Sequence, residues 1–180
     1  MNTQTADPTS DLLAAARTNV ATSSAPTSND EIIAAVSANR ELATLDRAAL
    51  AARSLTIDQG DPPHVDHWTL VLAAIHFVRE EGAVAALDSV RDALARTGHP
   101  VTVDGRPHET LTVFVVWAVA RLLGAGLTPT QVLWHPLLGT EAPLAWYDRA
   151  TLQSEEAHAT FVASTLARVG EPAPSPADLG

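Results

Sequence analysis

The chain has 180 residues, 46% of them apolar, and this length and composition predict one compact domain with tails. The formal net charge is −10 and the eleven basic residues are single arginines spread along the chain, which argues against nucleic acid and anionic membranes as partners. Cysteine and lysine are absent, which excludes thiolate nucleophiles, iron–sulfur clusters, pyridoxal phosphate held as a lysine Schiff base, and a nucleotide-binding P-loop.

The two ends of the chain have the composition of segments outside a folded core. Residues 1–28 are rich in Thr, Ser, Asn and Pro, so we expect a disordered or loosely docked N-terminal segment. Residues 170–180 contain three prolines, which predicts an extended C-terminal tail. The first residues lack the pattern of a secretory signal and no stretch reaches the roughly 20 apolar residues of a membrane span, so we expect a soluble cytoplasmic protein.

Hydrophobic residues recur at helical spacing between these ends, without the strand–helix alternation of an α/β protein. We therefore expect an all-α fold, a single-domain bundle of about six helices over residues 29–169. The predicted helices span residues 30–40, 44–54, 64–81, 83–97 and 108–125, followed by a short helix that Pro136 stops and a final helix within residues 154–169. Residues 98–107 are predicted to form a connection with, at most, a very short strand over residues 101–103.

Short connections determine where the ends of these helices meet. Because one residue joins the helices over residues 64–81 and 83–97, the two are expected to be antiparallel. The shortest uncrossed route then starts the helix over residues 108–125 where the preceding helix finished. This topology predicts that residues 64–67 and 108–109 lie at the same end of the bundle.

Histidines and carboxylates occupy both of these first turns, in "HVDH" and "HETLT". Three imidazoles with one or two carboxylates match the ligand sets of zinc, iron, manganese and nickel. The positive end of each helix dipole disfavours imidazolium, which keeps a histidine there neutral and able to bind metal. The pattern predicts a divalent metal bound by His64, His67 and His108. Asp66 or Glu109 is expected to be a fourth ligand, to orient a histidine, or to act as general base.

Aromatic residues supply the expected walls of a substrate pocket beside this cluster. The pocket residues that we predict are Trp68, Thr112, Trp117, Trp146 and Tyr147. His135, which lies between Trp134 and Pro136, is instead expected to be a core histidine bonded to a backbone carbonyl.

A purely structural interpretation of the same residues remains open. Asp66 and Glu109 are suited to capping their helices, and histidines near helix starts are often polar residues at the rim of a core. The His-x-x-His pattern also lacks the glutamate–histidine spacing of metalloprotease helices. Helix caps and a metal site are therefore competing hypotheses for these first turns.

The segments "HVDHWTLVLAAIHFV", "HETLT", "HPLL" and "APLAWYDRATLQSEEA" together resemble a group of small, uncharacterised all-helical bacterial proteins. The likeness covers about residues 60–160. The group's pattern is matched by His64, Asp66, His67, His108, Glu109, Thr110 and Thr112. Pro107 stands where the pattern has an aromatic residue. The resemblance implies a bacterial protein in which these residues form one site, and it implies no reaction or substrate.

Three functions are consistent with these observations. The first is a metal-dependent enzyme, a lyase, hydrolase or oxygenase, that acts on a small polar molecule with Asp66 or Glu109 in catalysis. The second is a metal-free helical module that binds a ligand or partner without catalysis and forms a homodimer, because the apolar run of residues 111–123 is difficult to hide in one small bundle. The third is metal-free acid–base catalysis by His67 or His108 with Glu109.

Overall fold

The computed structural model describes residues 28–56, 66–97, 108–166 and 173–179. Every regular element in these residues is helical, so the predicted all-α class is confirmed. The connection predicted at residues 98–107, with its short strand, lies outside the described residues, as do residues 1–27 and His64.

The described residues contain seven α-helices and three short 3-10 helices. The α-helices are α1 (Asn29–Thr56), α2 (His67–Glu81), α3 (Ala83–Thr97), α4 (Glu109–Gly124), α5 (Pro129–Leu133), α6 (Arg149–Leu152) and α7 (Glu155–Ala159). The 3-10 helices are η1 (Pro136–Leu138), η2 (Ala142–Ala145) and η3 (Pro176–Leu179). None of the helices in the described part of the chain combines the length and the hydropathy of a membrane span.

The first of two compact units, residues 1–38, is described from residue 28 onwards. Ser28 and Glu31 form a capping box at the start of α1: the Ser28 hydroxyl accepts from the Glu31 amide at 3.1 Å, and the Glu31 carboxylate accepts from the Ser28 amide at 3.1 Å. The apolar side chains of Ile32, Ile33 and Val36, which follow this capping box at helical spacing, are exposed.

Helix α1 is one continuous helix, so the prediction of two helices over residues 30–40 and 44–54 is wrong. The joining residues Glu41, Leu42 and Ala43 are strong helix formers, and neither Gly nor Pro interrupts them. Their intrinsic preference continues the helix through the point where the hydrophobic spacing changes.

The second unit, residues 39–180, contains the other helices. Helices α2 and α3 are joined through Gly82, whose φ of 80° lies in the left-handed region that favours glycine. The Gly82 amide donates to the Val78 carbonyl at 3.1 Å and ends α2, so α3 can turn back and pack along it. Helix α4 then packs against both α2 and α3.

Helix α4 is the central helix of this unit. All residues from Thr110 to Val119 are buried, and they contact the neighbouring helices of the same chain. The apolar run that led us to expect a homodimer is therefore covered within one chain. The apolar run of residues 111–123 therefore no longer supports the expectation of a dimer.

The last predicted helix is much shorter than expected. Ser154 caps α7 by accepting from the Ala157 amide at 3.1 Å, but the helix ends at Ala159. Thr160 is extended, and the chain then runs back so that the amides of Thr165 and Leu166 donate to the Trp146 carbonyl at 3.0 and 2.8 Å. Hydrogen bonds to a distant carbonyl replace those of a longer helix.

The C-terminal segment differs from the predicted extended tail in its described part. Residues 176–179 form η3, which contacts α4 and α3. Leu179 is 9% exposed and belongs to the hydrophobic core. An apolar side chain near the end of the proline-rich sequence thus anchors it against the bundle.

Three buried aromatic side chains pack against one another in the core. The ring centroids of Phe114, Trp117 and Trp146 lie between 5.4 and 5.9 Å from one another, and each side chain is at most 3% exposed. Such offset and edge-to-face pairs add to the free energy gained by burying the rings.

We predict that Phe114→Ala lowers the free energy of unfolding by about 3–5 kcal/mol, because the removed ring leaves a cavity between two tryptophans. The matched control is Trp134→Ala, since Trp134 is 69% exposed and its loss is expected to cost less than about 1 kcal/mol. Urea unfolding followed by circular dichroism measures both values. Equal losses for the two variants would contradict this account of the core.

Candidate functional site

Asp66 and His67 begin α2, and both make hydrogen bonds that serve the fold. The Asp66 carboxylate caps the helix by accepting from the Thr69 amide at 2.6 Å, as the structural interpretation predicts. His67 Nε2 lies 2.6 Å from the Leu138 carbonyl oxygen, and because a carbonyl only accepts, Nε2 carries the proton. The other nitrogen of the ring, Nδ1, is buried and has no hydrogen-bond partner among the described residues.

His108 caps α4 with its ring. Nδ1 accepts from the Leu111 amide at 3.4 Å, and Nε2 donates to the Leu152 carbonyl at 2.9 Å, so both ring nitrogens are engaged. The ring is 2% exposed and stacks on His158 with centroids 4.3 Å apart. Burial lowers the pKa of His108 below its ordinary value, and the neighbouring His158 lowers the pKa further. The neutral ring is thus the form that fits this environment.

Glu109 pairs with α3 and does not cap its own helix. Its carboxylate accepts from Arg91 Nε at 3.1 and 3.2 Å and forms a short ion pair with the same guanidinium through Nη2. Arg91 Nη1 also donates to Asp88 at 2.9 Å. The hydrogen bonds that Arg91 donates to Glu109 are the main reason that the pKa of Arg91 is raised. This pairing ties the start of α4 to α3.

The remaining polar residues of the "HETLT" motif also satisfy backbone groups. The Thr110 hydroxyl donates to the Thr160 carbonyl at 3.1 Å and accepts from the Val162 amide at 3.1 Å. The Thr112 hydroxyl donates to the His108 carbonyl at 2.9 Å. The motif therefore fastens the irregular segment after α7 to the start of the central helix.

The starts of α2 and α4 lie at the same end of the bundle, as the predicted topology requires. His67 and Leu111 line one small cavity of about 10 Å³, which is roughly the room of one water molecule. The ring nitrogens nevertheless point to different carbonyls, that of Leu138 for His67 and that of Leu152 for His108. His67 and His108 therefore lie at the same end of the bundle without forming one cluster of ring nitrogens.

The predicted metal site is not assembled from the part of the chain that the structure describes. No group of three or more His, Cys, Asp or Glu side chains suited to a metal ion occurs there. His64, the third predicted ligand, lies outside the described residues. Metal binding stays a prediction, and the observed roles of Asp66 and His108 are those of helix caps.

The predicted pocket residues divide into three environments. Trp68 is 40% exposed and stacks on the exposed Trp134, with centroids 5.8 Å apart. Thr112 and Tyr147 are buried, and burial raises the pKa of the Tyr147 phenol to about 12. Trp117 and Trp146 are buried as well, and they are the two of the five that line the same cleft.

This cleft has a volume of about 390 Å³ and is formed by the second half of α4 together with η1 and η2. It is lined by Trp117, Arg121, Leu122, His135, Pro136, Leu137, Ala142, Ala145 and Trp146. The guanidinium carbon of Arg121 lies 5.4 Å from the centroid of the Trp117 ring, which is the geometry of a cation–π contact. Arg121 thus places a positive charge in a cleft whose other lining residues are mainly apolar.

His135 lines the same cleft and differs from its predicted role. Its Nδ1 accepts from the Leu137 amide at 3.1 Å, so the ring caps η1 and is not bonded to a backbone carbonyl there. Because Pro136 follows directly, the chain bends at this residue and leaves the ring half-buried at the wall of the cleft.

A second cleft, of about 510 Å³, adjoins the first at Trp117 and Arg121. Its other lining residues are Ala83, Ala120, Asp178 and Leu179. Among the described residues, Arg91 and Arg149 have ion pairs with carboxylates and Arg121 has none. Arg121 therefore offers a positive charge to both clefts.

Sequence reasoning missed Arg121 as a site residue, although the signal was present. Arg121 is the only charge of α4 beyond its first turn, and it follows Trp117 by four positions, which puts the two on one helix face. A lone charge beside an aromatic residue on an otherwise buried helix indicates a place where that helix reaches solvent.

Comparison with protein-family models, with curated proteins and with solved structures gives no match for this chain. The resemblance to small bacterial helical proteins thus has no support from these comparisons.

We predict that His108 makes stability depend on pH. Burial keeps its folded-state pKa below the unfolded value of about 6.5, so the unfolded chain takes up the proton first as pH falls. The contribution of His108 to the free energy of unfolding is therefore fully present above pH 6.5, and it is lost as pH falls toward the folded-state pKa. His108→Asn keeps a capping oxygen without titrating, so we expect a flatter stability profile between pH 7.5 and 5.5 in urea unfolding.

His76→Asn is the control for this experiment, because His76 contacts Phe77 on α2 and lies away from the cap of α4. This variant should keep the wild-type pH profile. A profile for His108→Asn that falls as steeply as that of the wild type would contradict the assignment.

Proposed function

We propose that this protein binds a small molecule that has an apolar or aromatic body and a carboxylate, in the cleft beside Trp117. The observation that carries the proposal is the guanidinium of Arg121, placed over the Trp117 ring and without an ion pair among the described residues. The proposal corresponds to the metal-free binding module among the three predicted functions.

The position of Arg121 suits recognition of an anion. Its planar guanidinium donates two parallel hydrogen bonds to a carboxylate, and stacking on Trp117 restricts its orientation before the ligand arrives. Less side-chain entropy is then lost on binding. The chain as a whole has a net charge of −10, so Arg121 gives this cleft a local positive charge that favours the binding of one anionic group.

The walls of the cleft suit the rest of such a ligand. Leu122, Leu137, Ala142 and Ala145 present apolar surface, and the volume of about 390 Å³ falls within the range of about 300–1,000 Å³ that is usual for small-molecule sites. The clefts are large enough for a molecule with one aromatic ring. Apolar walls with one charged group are typical of selective binding.

The two enzyme hypotheses have less support from the described residues. Both ring nitrogens of His108 are hydrogen bonded in a buried site, and Glu109 is paired with Arg91. A metal ligand or a general base needs a lone pair that faces a substrate. The hydrogen bonds of these residues serve the fold.

We predict that 3-phenylpropanoate binds about tenfold more tightly than its neutral amide, 3-phenylpropanamide, because only the carboxylate pairs with Arg121. Isothermal titration calorimetry of the full chain measures both affinities. Arg121→Gln should remove the preference, whereas Arg47→Gln, which removes an exposed arginine outside the clefts, should keep it. Absence of saturable binding to either compound, or an unchanged preference in Arg121→Gln, would overturn the proposal.

A second prediction concerns the space in the cleft. Ala145→Leu places three additional carbons in a half-buried wall, so binding of 3-phenylpropanoate should weaken by about tenfold or more while the midpoint of urea unfolding stays close to that of the wild type. Ala95→Leu, at an exposed position of α3, is the control. Unchanged affinity in Ala145→Leu would place the ligand elsewhere.

A further inference from the structure

The C-terminal segment contributes a wall to the second cleft. Helix η3 packs against α3 and α4, and Leu179 anchors it in the core. The preceding residue, Asp178, lines the cleft of about 510 Å³ that also contains Trp117 and Arg121. A segment distant in sequence from α4 thus brings a carboxylate to the same cavity as the guanidinium.

The two charges in this cleft are not paired with each other. No ion pair joins Asp178 to Arg121, and within the described residues no side-chain hydrogen bond to the Asp178 carboxylate occurs. Asp178 is exposed, so its charge is available to a molecule in the cleft. The cavity therefore presents one cationic and one anionic group, each able to bind a group of opposite charge.

We infer that the ligand is a zwitterion of the α-amino acid class with an apolar or aromatic side chain, its carboxylate bound by Arg121 and its ammonium by Asp178. This inference rests on the proposed function and adds the second charged group. A ligand that carries only a carboxylate would be repelled by Asp178, whereas a ligand with both charges gains from each residue. The C-terminal segment is then part of the binding site.

Placement of the two clefts agrees with this class of ligand. They meet at Trp117 and Arg121, so a carboxylate held by Arg121 lies where both cavities are accessible. The ammonium extends toward Asp178 in one cleft, and the apolar side chain extends toward Trp146 in the other. Each portion of an amino acid thus has a chemically matched wall.

The test compares three related compounds on the full chain by isothermal titration calorimetry at pH 7: L-phenylalanine, 3-phenylpropanoate, which lacks the ammonium, and phenethylamine, which lacks the carboxylate. We expect L-phenylalanine to bind about five- to tenfold more tightly than either analogue. Asp178→Asn should weaken the binding of L-phenylalanine by about tenfold and should strengthen the binding of 3-phenylpropanoate.

Asp92→Asn is the matched control, because it makes the same change in net charge at an exposed position of α3 outside both clefts. It should leave all three affinities unchanged. Asp178→Glu keeps the charge and should retain a preference for L-phenylalanine over 3-phenylpropanoate. Circular dichroism of each variant before titration checks that the fold is kept.

The outcomes separate this inference from the proposed function. The zwitterion assignment is overturned if Asp178→Asn strengthens the binding of both L-phenylalanine and 3-phenylpropanoate, or if it changes neither affinity. In either case, Arg121-dependent binding of the carboxylate stands. If the wild-type chain binds none of the three compounds, both the inference and the proposed function are overturned. Loss of L-phenylalanine binding together with gain of 3-phenylpropanoate binding supports both.

Discussion

Burial of helix α4 is the constraint on which the rest of the second unit depends. Its residues from Thr110 to Val119 are buried, and the helix packs against α2, α3 and the C-terminal elements. Burial of this apolar surface supplies a large share of the free energy that holds the unit together. Because the middle of the helix is enclosed, functional groups on α4 reach solvent only near its ends.

The two ends of α4 have different chemical characters. At the start, His108, Glu109 and Thr110 hold α3 and the segment from Leu152 to Val162 through partly buried hydrogen bonds. A buried backbone group without a partner costs about 1–3 kcal/mol, so these side chains are required wherever an irregular segment packs on the helix. Toward the end of the helix, the exposed Arg121 and the buried Trp117 line the two clefts. The side chains at the first end make hydrogen bonds that stabilise the fold, and the second end carries the binding site that we propose.

Electrostatics favours the same division. The carboxylate of Glu109 is already neutralised by Arg91, and His108 is kept uncharged by burial, which lowers its pKa. Arg121 and Asp178 are exposed side chains that line the second cleft, where solvent and a ligand have access. The histidine-rich motif is thus consistent with a structural role, and the binding that we propose depends on two residues outside that motif, Arg121 and Asp178.

The sequence by itself determined the helical class, the caps at Asp66 and Ser154, and the meeting of the first turns of α2 and α4, because these follow from hydrophobic spacing and short connections. Only the tertiary structure decided where the rings of His67 and His108 point, since their acceptors are carbonyls 71 and 44 positions away in the chain. The same holds for the clefts, which need Arg121 and Asp178 to be brought together from distant segments. Local preferences act over one or two helical turns, whereas a binding site depends on long-range packing.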